Sequence, residues 1–451
     1  MRQICFSFFL LLGILTCRAV GASGMYQCSV ELTGYISPET GKAPNAYLWI
    51  PEGCKHVKAV VFAQQNMTEE MIFKMPLFQQ KMKELDIALL WVAPAFTNSW
   101  DPASGCQKIF DEMMVGLAGQ SGHNEIATAP IIPMGHSAQA TMPWNFAAWN
   151  AERTLCVISF HGDAPRTNLC GYGTANVEWG RKRNIDGIPS LMIEGEYEWW
   201  EARVRPALAF RMFYPESCVS FLCDTGSGHF ECSEETAEYI ALFIQKAMRT
   251  RWAEDGKLRK VNPVDGWLAC RYNADSQPND GDGAKDDIFY VEKRPQPAPY
   301  NEYKGDKHDA FWYFDKEMAL LTEKRYAEAW GKKQQYVGVE FEGKFVPFDS
   351  LKQGGMQLVL ANTALGDTFR LHSVYTDQSH AKRSDNHGAG RTYTQVICGP
   401  AKKISDDTFQ IVPYEAGRDN PRRSNSIWII AVGEGDRQYK RAVQPIQIIL
   451  K

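Results

Sequence analysis

From Ala46 to about Lys246, short apolar runs alternate with amphipathic stretches. Ala59 to Ala63, Ile87 to Ala93, Ala129 to Met134, Leu155 to Phe160, Ser190 to Ile193 and Cys218 to Cys223 are each brief, nearly continuously apolar and often β-branched. That is the pattern of strands buried on both faces. Separated by helical patterns, they predict an α/β fold with a doubly wound, mostly parallel sheet and helices on both sides. The closing helix has the clearest signal. Ser233 can cap it, Glu234 and Glu235 favour the positive end of its dipole, and Tyr239, Ile240, Phe243, Ile244 and Ala247 recur at helical spacing.

The pattern breaks in the charged stretch Arg251 through Lys260. This predicts a catalytic-size α/β domain over 23–255 and a smaller β-rich domain over 256–451. Asp275 to Asp287 is rich in Asp and Gly and Arg294 to Tyr300 is rich in proline, so both read as loops. One helix is expected from Asp315 to Trp330. Tyr336 to Phe341, Met356 to Leu360, Thr368 to Tyr375, Thr392 to Cys398, Ile427 to Val432 and Ile446 to Leu450 read as strands, which predicts an antiparallel, sandwich-like module.

The first 22 residues read as an export signal: Arg2 supplies positive charge, Phe6 to Leu15 is the apolar core, and Val20-Gly21-Ala22 offers small residues for cleavage. Cys17 would serve a lipid-anchored alternative, but Leu15-Thr16 before it lacks the small residue such a site prefers. No other apolar stretch reaches the roughly 18 to 20 residues of a membrane span. The expected product is soluble and exported, periplasmic or extracellular.

Composition narrows the possible partners. At 451 residues the chain exceeds what one core usually serves. With 49 basic against 53 acidic residues and an isoelectric point near 6.2, it lacks the footprint of a nucleic-acid or anionic-membrane binder. An oxidising compartment would permit disulfides among Cys28, Cys54, Cys106, Cys156, Cys170, Cys218, Cys223, Cys232, Cys270 and Cys398. No C-x-x-C pair has metal-ligand spacing, so no zinc site is indicated. The run Asp280 to Asp287 resembles a calcium loop in composition, but setting Gly283 at the turn puts Pro278 and Phe289 at the first and last ligand positions. It reads as a solvated acidic loop. His372, His380 and His387 show no ligand spacing.

The chemistry gathers at strand ends. Pro133-Met134-Gly135-His136-Ser137-Ala138 ends an apolar run on a serine at a turn, where a sharp strand-to-helix bend exposes a hydroxyl. Ser137 is the candidate nucleophile. A serine needs a base, and the base needs a third group to hold its tautomer. The last strand runs into Asp224-Thr225-Gly226-Ser227-Gly228-His229-Phe230, a glycine-rich loop that makes His229 the candidate base. For the acid, Glu194-Gly195-Glu196-Tyr197-Glu198 follows the preceding strand. Glu198 is the first choice, with Glu196 and with Asp163 of His161-Gly162-Asp163 as alternatives. The oxyanion donors are expected at the Ala138 amide and in Gln64-Gln65-Asn66-Met67, at Gln65 or Asn66. Two features depart from the elbow pattern. Gln139 replaces the glycine that lets the helix approach the neighbouring strand, and Pro143 implies either a kinked helix or one starting only at Thr141.

On the ordered motifs Gly135-His136-Ser137, Gly195 with Glu198, and Gly228-His229-Phe230, residues 45 to 248 resemble an α/β-hydrolase, and within that fold secreted esterases of the carbohydrate-esterase and polyhydroxybutyrate-depolymerase type. The resemblance implies ester hydrolysis through an acyl-enzyme, with neither metal nor organic cofactor. The short segment Ala164 to Gly187, where this fold often inserts a lid, implies an open cleft suited to esters on a polymer or bulky glycan. Trp199 and Trp200 follow the acid and offer flat faces to a sugar. Trp144, Trp149 and Trp179 lie near predicted edges and offer further flat faces for sugar rings, although Trp149 shares a helix with Phe146 and reads rather as core. The expected activity is hydrolysis of a carbohydrate-linked acetyl, methyl or feruloyl ester. A serine peptidase of the same fold and an inactive glycan-binding relative are the alternatives.

Overall fold

The computed structural model describes residues 25–167, 176–198, 200–272, 294–347, 356–377, 379, 381–382, 391–413 and 425–451. The export segment 1–22, Cys170, Trp199, the loop 280–287, His380 and His387 lie outside the described residues.

An eight-stranded sheet forms the larger body. Its strands are β1 (Cys28–Glu31), β2 (Asn45–Trp49), β3 (Ala59–Gln64), β4 (Ile87–Ala93), β5 (Ile131–His136), β6 (Val157–Phe160), β7 (Pro189–Gly195) and β8 (Cys218–Asp224). They lie in the order β1-β2-β4-β3-β5-β6-β7-β8, with β1 and β2 antiparallel and β4 to β8 parallel. This is an α/β architecture with a doubly wound, mostly parallel sheet followed by a β-rich part, the fold class expected from the apolar runs. Strands β1 and β2 escape the sequence pattern because β1 is short and carries Ser29 and Glu31 at a half-exposed edge.

The strands are apolar on both faces because both are covered. In β3, Val60 and Phe62 enter one core with Phe110, Met113 and Phe146, whereas Ala59, Val61 and Ala63 enter the other with Phe78, Met82, Tyr239 and Phe243. The covering helices are α1 (Glu69–Lys74), α2 (Pro76–Glu84), α3 (Cys106–Ser121), α4 (Thr141–Trp149), α5 (Trp200–Phe213) and α6 (Glu234–Arg251). Ser233 caps α6 by accepting from the Thr236 N–H.

The second core does not stop at residue 255. A small three-stranded sheet of β9 (Trp267–Cys270), β10 (Ala298–Pro299) and β11 (Ala310–Tyr313), with helix α7 (Lys316–Ala329), adds Leu268, Phe311, Trp312, Tyr313 and Tyr326 to the same cluster. Asp315 caps α7 by accepting from the Met318 N–H.

The sandwich has its own core from Val337 onward. One sheet holds β12 (Tyr336–Phe341), β13 (Lys344–Phe345), β15 (Thr368–Thr376), β17 (Ala401–Lys403) and β18 (Thr408–Ile411), and the other β14 (Met356–Leu360), β16 (Thr392–Cys398), β19 (Ser426–Gly433) and β20 (Ala442–Leu450). Pairing is antiparallel except between β14 and β20. Cys28, Cys54, Cys106, Cys156, Cys218, Cys223, Cys232 and Cys270 are free thiols, so the permitted disulfides do not form among them. No helix among the described residues is long and apolar enough to cross a membrane.

Candidate active site

Strand β5 ends at His136, and Ser137 turns the chain with φ +52°, a left-handed conformation rare for a residue with a β-carbon. Such strain costs about 1–3 kcal/mol and is held by surrounding contacts. A single 3₁₀ turn, 137–139, follows, and α4 starts at Thr141. Pro143 therefore sits in the first turn, where a missing N–H leaves no bond unmade. The helix begins late rather than kinking.

Close approach to the neighbouring strand is achieved without glycine at 139. A β-carbon on Gly135 would lie 2.1 Å from the Gln139 carbonyl oxygen, and one on Gly162 would lie 1.9 Å from the Ala140 Cβ. These two glycines, with the small Ala140, make the room. Gln139 is instead buried, donating to Asn98 Oδ1 at 2.6 Å and meeting Gln64 Nε2 at 3.5 Å. Gln64 in turn accepts the Phe96 N–H at 3.0 Å, so the elbow is tied to the loop after β4.

Ser137 Oγ lies 2.7 Å from His229 Nε2, and His229 Nδ1 lies 2.6 Å from Glu198 Oε2. Glu198 also accepts from the Gly195 N–H at 2.7 Å, His161 Nδ1 at 2.5 Å and Arg203 Nη1 at 2.9 Å. Burial works to raise this carboxyl, but the imidazoles of His161 and His229 outweigh it and hold Glu198 well below the usual carboxylate range. Its neighbour Glu194, which shares Arg203 at 2.9 Å, moves the other way: burial and the charge of Glu198 push it well above that range. The pair concentrates its negative charge on Glu198. His229 keeps 25 % of its side chain exposed against 7 % for Glu198, so the site opens on the imidazole side.

The alternative acids are occupied elsewhere. Asp163 is fully buried, accepting from Thr141 Oγ1 at 3.0 Å through its carboxylate and from Trp144 Nε1 at 2.7 Å through its carbonyl. It anchors the start of α4. Glu196 accepts from Tyr272 Oη at 3.0 Å, Lys440 Nζ at 2.5 Å and the Gly226 N–H at 2.8 Å. It fastens the base loop to the sandwich.

Of the expected oxyanion donors, the Gln65 N–H is already given to the Val92 carbonyl at 2.7 Å, which leaves Asn66 of that pair beside Ala138. Asn66 Nδ2 donates to the His136 carbonyl at 2.6 Å, and Glu69 joins the same loop to the elbow by accepting from His136 N–H at 2.9 Å and Met67 N–H at 3.1 Å. His136 Nε2 lies 2.6 Å from the His229 carbonyl, which can only accept, so Nε2 carries the proton and Nδ1 faces Asn66 Nδ2 at 3.3 Å as an acceptor. Burial, aided by His229 and His161, pushes His136 well below its ordinary range and keeps it in that neutral form. Glu69 and Arg203 carry no motif in the sequence, and His136, His161 and Glu194 stand in the strand-end segments around Ser137, Asp163 and Glu198 without any signal of a role of their own.

The tryptophans divide differently from expectation. Trp144 and Trp179 are core, not platforms, because they are fully buried with their indole N–H groups bonded to Asp163 and, at 2.6 Å, to Asn145 Oδ1. Trp149 is partly buried between the two cores. Trp200 opens α5. The sandwich contributes in their place. Half-buried Trp428 of β19 lies 5.5 Å from the Phe230 ring, and Met67 and Phe230 join Ile397, Ile430 and Val432 in one apolar cluster. Arg441 pairs with buried Glu231, and a β-carbon on Gly226 would meet Arg441 backbone oxygen at 2.8 Å. The loops that carry Met67 and Phe230 are thus both backed by β16, β19 and β20. Among the described residues, no group of three His, Cys, Asp or Glu side chains is arranged to hold a metal ion.

No family model matches the chain, and no protein of curated function matches it in sequence. Among solved structures it is similar to the fluorophosphonate-binding serine hydrolase FphF of Staphylococcus aureus (12% identity, 49% of this chain and 96% of that one, TM-score 0.35). It is also similar to esterase PE8 (15% identity, 44% and 97%, TM-score 0.31) and to Est1E of Butyrivibrio proteoclasticus (14% identity, 49% and 99%, TM-score 0.32). Likeness at this level assigns neither activity nor substrate.

Proposed function

We propose that the chain is an exported serine hydrolase that cleaves carboxylic esters through an acyl-enzyme, with Ser137 as nucleophile, His229 as base and Glu198 as acid. The observation that carries this reading is the continuous hydrogen-bond chain from Ser137 Oγ through both nitrogens of His229 to Glu198, anchored on a strained serine at a strand end.

Each group has one task. As Ser137 Oγ bonds to the acyl carbon, its proton passes to His229 Nε2, and the imidazolium is stabilised by Glu198 at Nδ1. The carbonyl oxygen becomes an oxyanion that receives the Ala138 and Asn66 main-chain N–H groups. Collapse breaks the bond to the alcohol, which leaves with the proton from His229. Water then repeats the sequence, releasing the acid and restoring Ser137.

The substrate we propose is an ester borne by a carbohydrate, with an acetyl, methyl or feruloyl group. Supporting a ring at the site are the half-buried faces of Phe230 and Trp428 beside the base. Incubation with p-nitrophenyl acetate and with a fluorophosphonate probe tests the reaction. Turnover and labelling in the wild type that vanish in Ser137→Ala and His229→Ala support it; identical background in all three overturns it. Release of acetate, methanol or ferulate from a polysaccharide panel then tests the substrate.

A further inference from the structure

Glu198 is held between two imidazoles. His229 takes one carboxylate oxygen and His161 takes the other, at 2.6 and 2.5 Å. His161 is fully buried at the end of β6, and its φ of +51° repeats the left-handed turn that Ser137 makes at the end of β5. Its Nε2 is buried with no partner among the described residues, so the ring is held through Nδ1 alone. A solvent-facing acid would have water at that oxygen; here a strained, buried histidine is spent on it.

Resting on the serine-hydrolase reading, we infer that His161 is a positioning residue for that site: its Nδ1–H fixes the Glu198 carboxylate in the plane that meets His229 and moderates the charge that His229 feels. His161 does not touch Ser137 and acts only through Glu198. Burial works against a charged imidazole at this position, but Glu198 outweighs it and, with Asp224 and Glu231, holds His161 above its ordinary range. The groups facing the cluster come from every neighbouring element: His136 at the end of β5, Glu194 at the end of β7, Arg203 on α5, Asp224 at the end of β8, Glu231 on the base loop, and Arg441 of the sandwich through Glu231. Arg203 and Glu194 remain when His161 is changed, so their pair does not confound the comparison.

The sign of the effect follows. Removing a positive neighbour leaves Glu198 more negative toward His229, which favours the protonated base and moves the acid limb of activity to higher pH.

Two variants separate donor from charge. His161→Asn tolerates the left-handed backbone and sets a neutral amide donor near the place of Nδ1; His161→Ala removes both. On p-nitrophenyl acetate, His161→Ala is expected to lower kcat about tenfold or more with KM within roughly twofold, the scale of a general-base contribution partly lost. His161→Asn is expected to recover much of kcat while its acid limb in kcat/KM moves up by about half a pH unit or more. An unmoved limb in His161→Asn, or an unmoved kcat in His161→Ala, overturns the inference; a merely structural role would lower the melting temperature and leave the limb in place. Nitrogen NMR titration of the His229 imidazole in wild type and His161→Asn reads the same shift without turnover. A wild type that neither turns over the ester nor takes the fluorophosphonate defeats the hydrolase reading, while the NMR titration still decides the role of His161.

Discussion

Gly162 stands so close to Ala140 that a β-carbon on the glycine would lie 1.9 Å from the alanine Cβ. The contact joins the loop after β6 to the turn that carries Ser137, and explains how the elbow tolerates glutamine where a glycine is usual. The approach that the usual glycine permits from the helix side is permitted here from the strand side.

Gly162→Ala should therefore be severely disruptive. Overpacking a rigid interior costs about 1–3 kcal/mol, and here the opposing atoms belong to a short backbone turn that cannot swing aside. A melting temperature lowered by roughly 5 °C or more is expected, together with a fall in fluorophosphonate labelling as Ser137 is displaced. Calorimetry and labelling yield on the purified variant check it.

Gln139→Gly, although it restores the usual motif, should weaken the protein. The substitution deletes the buried Gln139 amide, with its 2.6 Å bond to Asn98 and its 3.5 Å contact with Gln64. A loss of about 1–2 kcal/mol is expected from the missing hydrogen bond and the added chain entropy, with no gain in kcat. Chemical denaturation beside steady-state kinetics tests both halves; a more stable, faster variant would contradict the role assigned to Gln139.

Lys440→Met tests the tie between the sandwich and the base loop. It takes the ammonium away from the buried Glu196 carboxylate, which keeps Tyr272 and the Gly226 N–H, and breaking one half of a buried ion pair costs up to about 3–5 kcal/mol. Because Glu196 also holds the Gly226 N–H, kcat is expected to fall along with stability. Lys440→Met combined with Glu196→Gln should be less destabilised than the single variant, as a double-mutant cycle of melting temperatures would reveal.

The Glu198 and His161 shifts set a window for stability. Glu198, held below its ordinary 4.5, contributes stability above that value and loses it as pH falls through the folded-state value. His161, held above its ordinary 6.5, contributes below 6.5 and loses it as pH rises through its own folded-state value. The cluster therefore stabilises most between about pH 4.5 and 6.5. In melting curves collected across pH, the alkaline decline above 6.5 should flatten in His161→Asn, and an unchanged slope would count against the charged histidine.

Local composition by itself determined the buried strands, since an apolar run of that length is required wherever both faces of a sheet are covered. Residues 87–93, 336–341, 356–360 and 392–398 are strands over the very bounds their composition predicts, and the caps Ser233 and Asp315 start their helices where their side chains can accept an orphan N–H. The chain order of Ser137, Glu198 and His229 was legible for the same reason, because each follows a recognisable strand. Which carboxylate meets His229 was legible only as a ranking, with Glu198 ahead of Glu196 and Asp163. Glu196 and Glu198 differ by two positions on one turn, and the choice depends on Lys440, Tyr272 and Gly226 drawing Glu196 aside. Likewise, only the assembled tertiary structure buried Trp144 and Trp179, brought Trp428 beside Phe230, and set His161 against the back of Glu198. Such contacts join residues far apart in the chain through the register of the strands and the curvature of the sheet, which no local pattern of side chains encodes.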